Sequence, residues 1–115
     1  MTPGLRLSQL SVQRQHLVRL CQSTNYGYIE NLLVRGRQPV IEESMPLVMV
    51  DLKLDSKEGL LPKLEIEDFT LSQEVTRLMR LLDDIEDGAI SKIEVRDGIP
   101  RRVIVECRAA RVLSR

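Results

Sequence analysis

Two stretches of the chain carry apolar residues at the spacing of one helix face. The second stretch is the clearer and includes Val75, Leu78, Met79, Leu82 and Ile85. Thr70 and Gln73 have the spacing of a capping box, so a helix is predicted over about 71–86. The first stretch predicts a helix over about 8–24, with Leu17, Leu20 and Cys21 on its buried face.

After Gly27 and Gly88 the apolar period changes from helical to alternating, which predicts strands. Each glycine suits the left-handed residue that closes a helix. Gly36 and Asp97-Gly98 are turn signals, and the returning strands are predicted over about 39–42 and 102–107. Each half of the chain is therefore predicted to form a helix followed by a β-hairpin.

The two halves also match each other in sequence. At an offset of 61 residues and without a gap, ten identities relate residues 10–39 to residues 71–100. They include Leu10-Ser11 with Leu71-Ser72, Gly27 with Gly88 and Pro39 with Pro100. Similar amphipathic helices explain matched leucines more readily than a glycine and a proline at fixed spacing. The match predicts an internal duplication.

A further strand is predicted between the halves, where Val48, Val50, Leu52 and Leu54 alternate with Met49 and polar residues. Leu64 and Ile66 also alternate with glutamates, but Pro62 limits that run to a short or edge strand. We expect one α+β domain over residues 1–115. It consists of two repeats, about 8–42 and 69–107, joined by a strand-containing acidic segment, 43–68. The repeats share one antiparallel sheet of five or six strands, with two helices on one face, about a pseudo-twofold axis.

Composition is that of an ordinary globular domain: 115 residues, 43% hydrophobic and 30% charged, with a net charge of zero. Bulk positive charge is therefore excluded as a means of holding nucleic acid. Charge is nevertheless segregated, at +4 for residues 1–40, −8 for 41–88 and +4 for 89–115. The chain has no apolar run near the roughly 18 residues of a membrane span and no secretory signal, so we expect a cytoplasmic protein without a membrane partner.

No catalytic, cofactor or metal residues are predicted. Cys21 and Cys107 are too far apart for a CxxC motif and are expected to be reduced, buried residues. His16, the only histidine, is expected on the surface. Asp83, Asp87 and Glu94 partly fit a calcium-binding loop, although a strand is predicted where a calcium hand needs a helix. The alternative is a solvated acidic helix end, unfavourable near the negative pole of the helix unless an arginine lies nearby.

Arginines concentrate around the two predicted hairpins. The candidate contact residues are Arg35, Arg37, Arg96, Arg101 and Arg102. Symmetric hairpins could contact the phosphates of one DNA duplex, because a two-stranded ribbon fits the major groove. Arginines on edge strands also prevent aggregation between sheets, and this alternative is open.

The segment from Gly88 to Asp97-Gly98, after an amphipathic helix, resembles the YezD-like family of short bacterial proteins of unknown function. The resemblance implies a bacterial helix-plus-hairpin unit and transfers no functional residues. We expect a non-enzymatic domain that binds a macromolecule, either a protein partner or itself as a homodimer. The alternative is a DNA-binding protein that uses paired basic hairpins.

Overall fold

Both long helices have a serine as their N-cap, the residue directly before the first helical residue. The computed structural model describes residues 5–55 and 69–107, in which α1 spans Val12–Thr24 and α3 spans Gln73–Ile85. Ser11 accepts a hydrogen bond from the backbone N–H of Arg14 and Ser72 from that of Val75, each at 3.2 Å. A serine N-cap satisfies one of the donors that a helix start leaves unpaired. The predicted Thr70–Gln73 capping box is wrong, because Ser72 is the N-cap.

Both long helices end in a tight turn centred on a residue with positive φ. Asn25 has φ 61° and ψ −64°, and Glu86 has φ 60° and ψ −70°. The N–H of the next residue donates to the carbonyl of the preceding one at 2.7 Å in both turns, which is the uncommon γ-turn geometry. The prediction that Gly27 and Gly88 close these helices is therefore wrong. Of these two glycines, Gly27 has positive φ, at 151°, and Gly88 does not.

The part of the chain that the structure describes has five strands, which form one antiparallel sheet. They are β1 (Gly27–Arg35), β2 (Gln38–Val40), β3 (Leu47–Val50), β4 (Gly88–Arg96) and β5 (Ile99–Val105). The order is β2-β1-β4-β5, and β3 also pairs with β1. Because β4 occupies one edge of β1, both β2 and β3 pair with its other edge. The α+β class and the antiparallel sheet are as predicted.

The return strand of the first hairpin is interrupted. It ends at Val40, and the chain makes a short helix, α2 (Ile41–Ser44), before it re-enters the sheet as β3. The hydroxyl of Ser44 bonds to the carbonyl of Val40, and Met45 ends the helix in the left-handed conformation. The strand predicted over 39–42 is therefore wrong beyond Val40. The strand predicted around Leu64 and Ile66 lies outside the described residues.

Each hairpin turn has two residues with positive φ: Gly36 and Arg37 in the first, and Asp97 and Gly98 in the second. Such turns match the twist of an antiparallel pair, and both were predicted. Each turn docks on a helix end, where Arg37 N–H donates to the Glu86 carbonyl at 2.8 Å and Gly98 N–H donates to the Asn25 carbonyl at 2.9 Å.

The buried residues of α1, α3 and the sheet form one cluster. Buried residues of the central strands enter it, namely Ile29, Leu32 and Val34 of β1 and Ile90, Ile93 and Val95 of β4. The alternation shifts by one residue in each strand, between Ile29 and Leu32 and between Ile90 and Ile93. Leu17, Cys21, Leu78 and Leu82 contribute from the helices, each at most 4% exposed, as predicted. Within the described residues, no helix is long and apolar enough to cross a membrane.

Candidate partner-binding surfaces

The arginines predicted as contact residues lie at both ends of the sheet. Arg35 is the last residue of β1 and Arg37 lies in the turn of the first hairpin, whereas Arg96 is the last residue of β4, directly before the turn of the second. In the β1–β4 register Gly27 lies opposite Val95. Tyr26, one residue earlier, therefore lies at the level of Arg96, and Arg35 lies nine residues further along the chain. At about 3.3 Å per residue the two turns are about 30 Å apart.

Four of these five arginines are paired with carboxylates. Arg35 lies 3.4 Å from Glu43, Arg37 3.1 Å from Glu86, Arg96 3.0 Å from Glu94, and Arg101 3.9 Å from both Glu74 and Asp97. Arg102 lies opposite Glu94 in the β4–β5 register. These are exposed pairs that contribute little stability. They do reduce the net positive potential that either hairpin presents.

The acidic end of α3 has basic neighbours, which offset its unfavourable place near the negative pole of the helix. Arg14 on α1 lies 2.5 Å from Asp83, and Arg37 contacts Glu86. The backbone N–H of Gly36 also donates to the Asp87 carboxylate at 2.9 Å. Strand β4 follows this end directly, where a calcium hand would continue as a helix. These acidic residues therefore anchor the first hairpin turn, a role that the sequence did not indicate.

The sheet face opposite the buried side chains of β1 is polar at its centre, and we call it the outer face. The Lys92 ammonium lies 4.2 Å from the centroid of the Tyr28 ring and 3.8 Å from the Glu30 carboxylate. Opposite-charge and cation–π contacts of this kind suit a solvated face. Leu47 and Ile104 flank this polar centre, because they pair with Glu30 and Lys92 respectively.

Exposed apolar side chains are concentrated between Met45 and Leu54. The members of this apolar segment are Met45, Leu47, Met49, Leu52 and Leu54, which are between 40% and 82% exposed. The sequence predicted a strand here with Leu52 and Leu54 on its buried side. That part of the prediction is wrong, because β3 ends at Val50 and the alternation no longer places those leucines against the core.

A cleft of about 480 Å³ lies beside α1, β2 and α2. His16, Arg35, Glu42 and Glu43 are among its polar lining residues, and Val12 and Ile41 are among the apolar ones. His16 is exposed, as predicted. A second cleft, of about 180 Å³, is lined by α3 and β5. Sequence reasoning missed both clefts, because they form only when the helices meet the return strands.

Neither cysteine lines these clefts. Cys21 is fully buried in the core, and burial raises the pKa of its thiol to about 12. A thiol with so high a pKa stays protonated at neutral pH and is a poor nucleophile. Cys107 is exposed, so the prediction that it is buried is wrong. Both thiols are free.

Within residues 5–55 and 69–107, no three His, Cys, Asp or Glu side chains are grouped so that they could hold a metal ion. Comparison of the chain with protein-family models, curated proteins and solved structures gives no significant match. The resemblance to the YezD-like family stays a prediction.

Proposed function

We propose that this protein is a non-enzymatic, self-associating domain that forms a homodimer through its apolar segment, Met45–Leu54. The observation that carries the proposal is the exposure of five large apolar side chains within ten residues of chain. Apolar patches of this kind mark interaction sites more often than chance. Strand β3 within the segment pairs with β1 along one edge only, among the residues described.

A second copy of the chain is the partner that best fits this segment. An open strand edge offers unpaired N–H and C=O groups to another strand. Strand β3 carries no charged side chain that would oppose such pairing. Strand β5, at the other edge of the sheet, carries Arg101 and Arg102. Two β3 edges related by a twofold axis would each supply the same residues, as an isologous dimer requires.

The proposal includes an internally duplicated scaffold with both long helices on one face of the sheet. Support comes from the 61-residue offset, at which the bounds of α1 and β1 coincide with those of α3 and β4. Ser11 and Ser72, the two N-caps, and Asn25 and Glu86, the two γ-turn centres, obey the same offset. The two hydrogen bonds between a hairpin turn and a helix end also correspond to each other at this offset. Arg37, the donor in one bond, matches Gly98, the donor in the other, and the acceptors Glu86 and Asn25 match in the same way.

The proposal assigns the protein to the bacterial cytoplasm. The free thiols of Cys21 and Cys107 support a reducing compartment. Self-association is preferred to DNA binding because four of the five candidate arginines have carboxylate partners.

Multi-angle light scattering across micromolar to hundred-micromolar concentrations tests the proposal. The expected result is a dimer whose fraction rises with concentration, and a strict monomer over the whole range would refute self-association. Leu47→Lys with Met49→Lys should abolish the dimer, because both side chains are about half exposed and a charge there opposes apolar contact.

The matched control is Ile104→Lys on β5, where the wild-type side chain is 55% exposed. It lies in the same row of the outer face as Leu47, on the opposite edge strand. Dimerisation through the β3 edge survives this change. Loss of the dimer in both variants would instead place the interface on the outer face as a whole and overturn the edge-pairing assignment.

A further inference from the structure

The two clefts occupy corresponding places in the two halves of the chain. At the 61-residue offset, Gln13, Pro39 and Val40 of the larger cleft match Glu74, Pro100 and Arg101 of the smaller one. Each cleft therefore has a helix side and a return-strand side built from matching positions. They differ in volume, about 480 Å³ against about 180 Å³.

Three arginines of the chain itself, Arg77, Arg101 and Arg102, line the smaller cleft. The Arg101 guanidinium lies 3.9 Å from the Glu74 carboxylate across the cleft and 3.9 Å from that of Asp97. Leu78, Leu81 and Pro100 line the same cleft. An arginine side chain suits this mixture, because its aliphatic stem packs on apolar surface while its charged end reaches a carboxylate. The smaller cleft therefore shows that a guanidinium group fits between a long helix and the return strand of this scaffold, beside a carboxylate.

The larger cleft has no arginine at the position of Arg101, and its carboxylates lie at other positions than those of the smaller cleft. Gln13 and Gly36 stand where Glu74 and Asp97 stand in the other half, and α2 supplies Glu42 and Glu43 instead. Val40 stands where Arg101 stands in the other half, and Glu42 and Glu43 line the cleft together with apolar Val12 and Ile41. Arg35 lies 3.4 Å from Glu43. Within the described residues Glu42 has no ion-pair partner. Arg35, Glu42 and Glu43 together give the lining a formal charge of −1, which favours a cationic ligand.

We propose that the cleft between α1 and α2 binds an arginine side chain presented by a partner polypeptide. The aliphatic stem lies against Val12 and Ile41, and the guanidinium group faces the carboxylates of Glu42 and Glu43. Arginine fits better than an ammonium group because its planar donors can serve two carboxylates at once. This proposal is independent of self-association through the apolar segment.

The test uses the full chain labelled with ¹⁵N and the peptide acetyl-Ala-Arg-Ala-amide at millimolar concentration. Saturable amide shifts are expected at Val12, His16 and Glu42. The same peptide with citrulline in place of arginine has nearly the same shape without the charge. Equal binding of both peptides, no binding, or shifts confined to other regions would each overturn the proposal.

Two variants and a control sharpen the test. Val40→Arg should place a guanidinium group of the chain itself in the cleft, near Glu42 and Glu43, and abolish peptide binding, with an unchanged unfolding midpoint. Binding by a folded Val40→Arg protein as strong as that of the wild type would contradict the proposal.

Glu42→Gln with Glu43→Gln, both at exposed positions, provides the test if Val40→Arg does not fold. Affinity should fall about fivefold, the upper range for an exposed ion pair, and unchanged affinity would count against the proposal. Asp55→Asn, an exposed carboxylate that does not line the cleft, should bind the peptide as the wild type does.

Discussion

Replacing Gly27 by alanine should destabilise the protein far more than the same change at Gly88, although the two positions match at the 61-residue offset. A Cβ atom on Gly27 would lie 1.8 Å from the carbonyl oxygen of Met49 and 3.1 Å from the Cα of Val50. These are backbone atoms of β3, which cannot give way by a change of rotamer. Gly27 also has φ 151°, a conformation that L-residues rarely adopt.

The magnitude follows from these two effects. Strained backbone of this kind costs about 1–3 kcal/mol. Displacing β3 from β1 would weaken one or two backbone hydrogen bonds at about 1 kcal/mol each. We therefore expect Gly27→Ala to lower the free energy of unfolding by about 2–5 kcal/mol.

Gly88→Ala is the matched control. Its Cβ would meet only the Cγ2 atom of the Ile85 side chain, at 3.1 Å, and Gly88 has no positive φ. A side-chain methyl can shift, and alanine is favoured over glycine within a strand by up to about 1 kcal/mol. The free energy of unfolding should therefore change by less than about 1 kcal/mol in either direction.

Urea denaturation followed by circular dichroism gives both free energies, from the midpoint and slope of each transition. Amide hydrogen exchange locates the effect. Val48 and Val50, which lie in β3, should lose protection in Gly27→Ala before Ile93 of β4 does. A Gly27→Ala protein no less stable than Gly88→Ala would refute the close approach of β3 to β1.

Further predictions concern the core, the two cysteines and the DNA-binding alternative. Leu78→Ala should cost about 2–5 kcal/mol of unfolding free energy in urea denaturation, because the side chain is 4% exposed in the core. Cys107 should react rapidly with a thiol reagent and Cys21 only on unfolding. Since burial raises the Cys21 pKa to about 12 from 9.0, stability measured against pH should decline above pH 9, where only the unfolded thiol ionises. If the hairpins bind DNA, Arg35→Glu with Arg96→Glu should abolish a salt-sensitive shift of duplex in a gel, and no shift of any duplex by the wild type at low salt would eliminate that alternative.

The sequence predicted the long helices, the central strands and both hairpin turns, because each depends on a local pattern. Leu17 and Leu78 are buried as their helical spacing requires, and Asp97-Gly98 forms the turn that its residue types favour. The N-cap of α3 was predicted incorrectly, although the match of Ser11 with Ser72 in the two halves indicated a serine N-cap for both helices. A serine that precedes both helices at the same offset is a stronger signal than one capping-box spacing.

The rest depended on contacts that no local pattern records. Asn25 and Glu86 form γ-turns whose carbonyls accept hydrogen bonds from the opposite hairpin turns, and the residue types do not indicate this. Glycine was expected at the helix ends. Gly27 lies two residues after Asn25, the residue that ends α1. Glycine is required there because the backbone of β3 approaches β1 closely. The candidate arginines were found from their position around the predicted hairpins. The carboxylate partners of Arg35, Arg37 and Arg101 come from other elements and became visible only in the fold. Glu94, the partner of Arg96, lies in the same strand.

The interruption of one strand by α2 accounts for both proposed surfaces. In the β1–β2 register Leu33 lies opposite Val40, so an unbroken ladder would place residue 43 opposite Glu30. Leu47 occupies that place, four residues later, and four is the length of α2. No helix interrupts β5, the matching strand, and there Arg101 lines the cleft. The four extra residues thus contribute Glu42 and Glu43 to the larger cleft. Beyond them the chain enters β3, which is paired along one edge only among the residues described. Both proposed surfaces therefore lie where the two hairpins differ in backbone path.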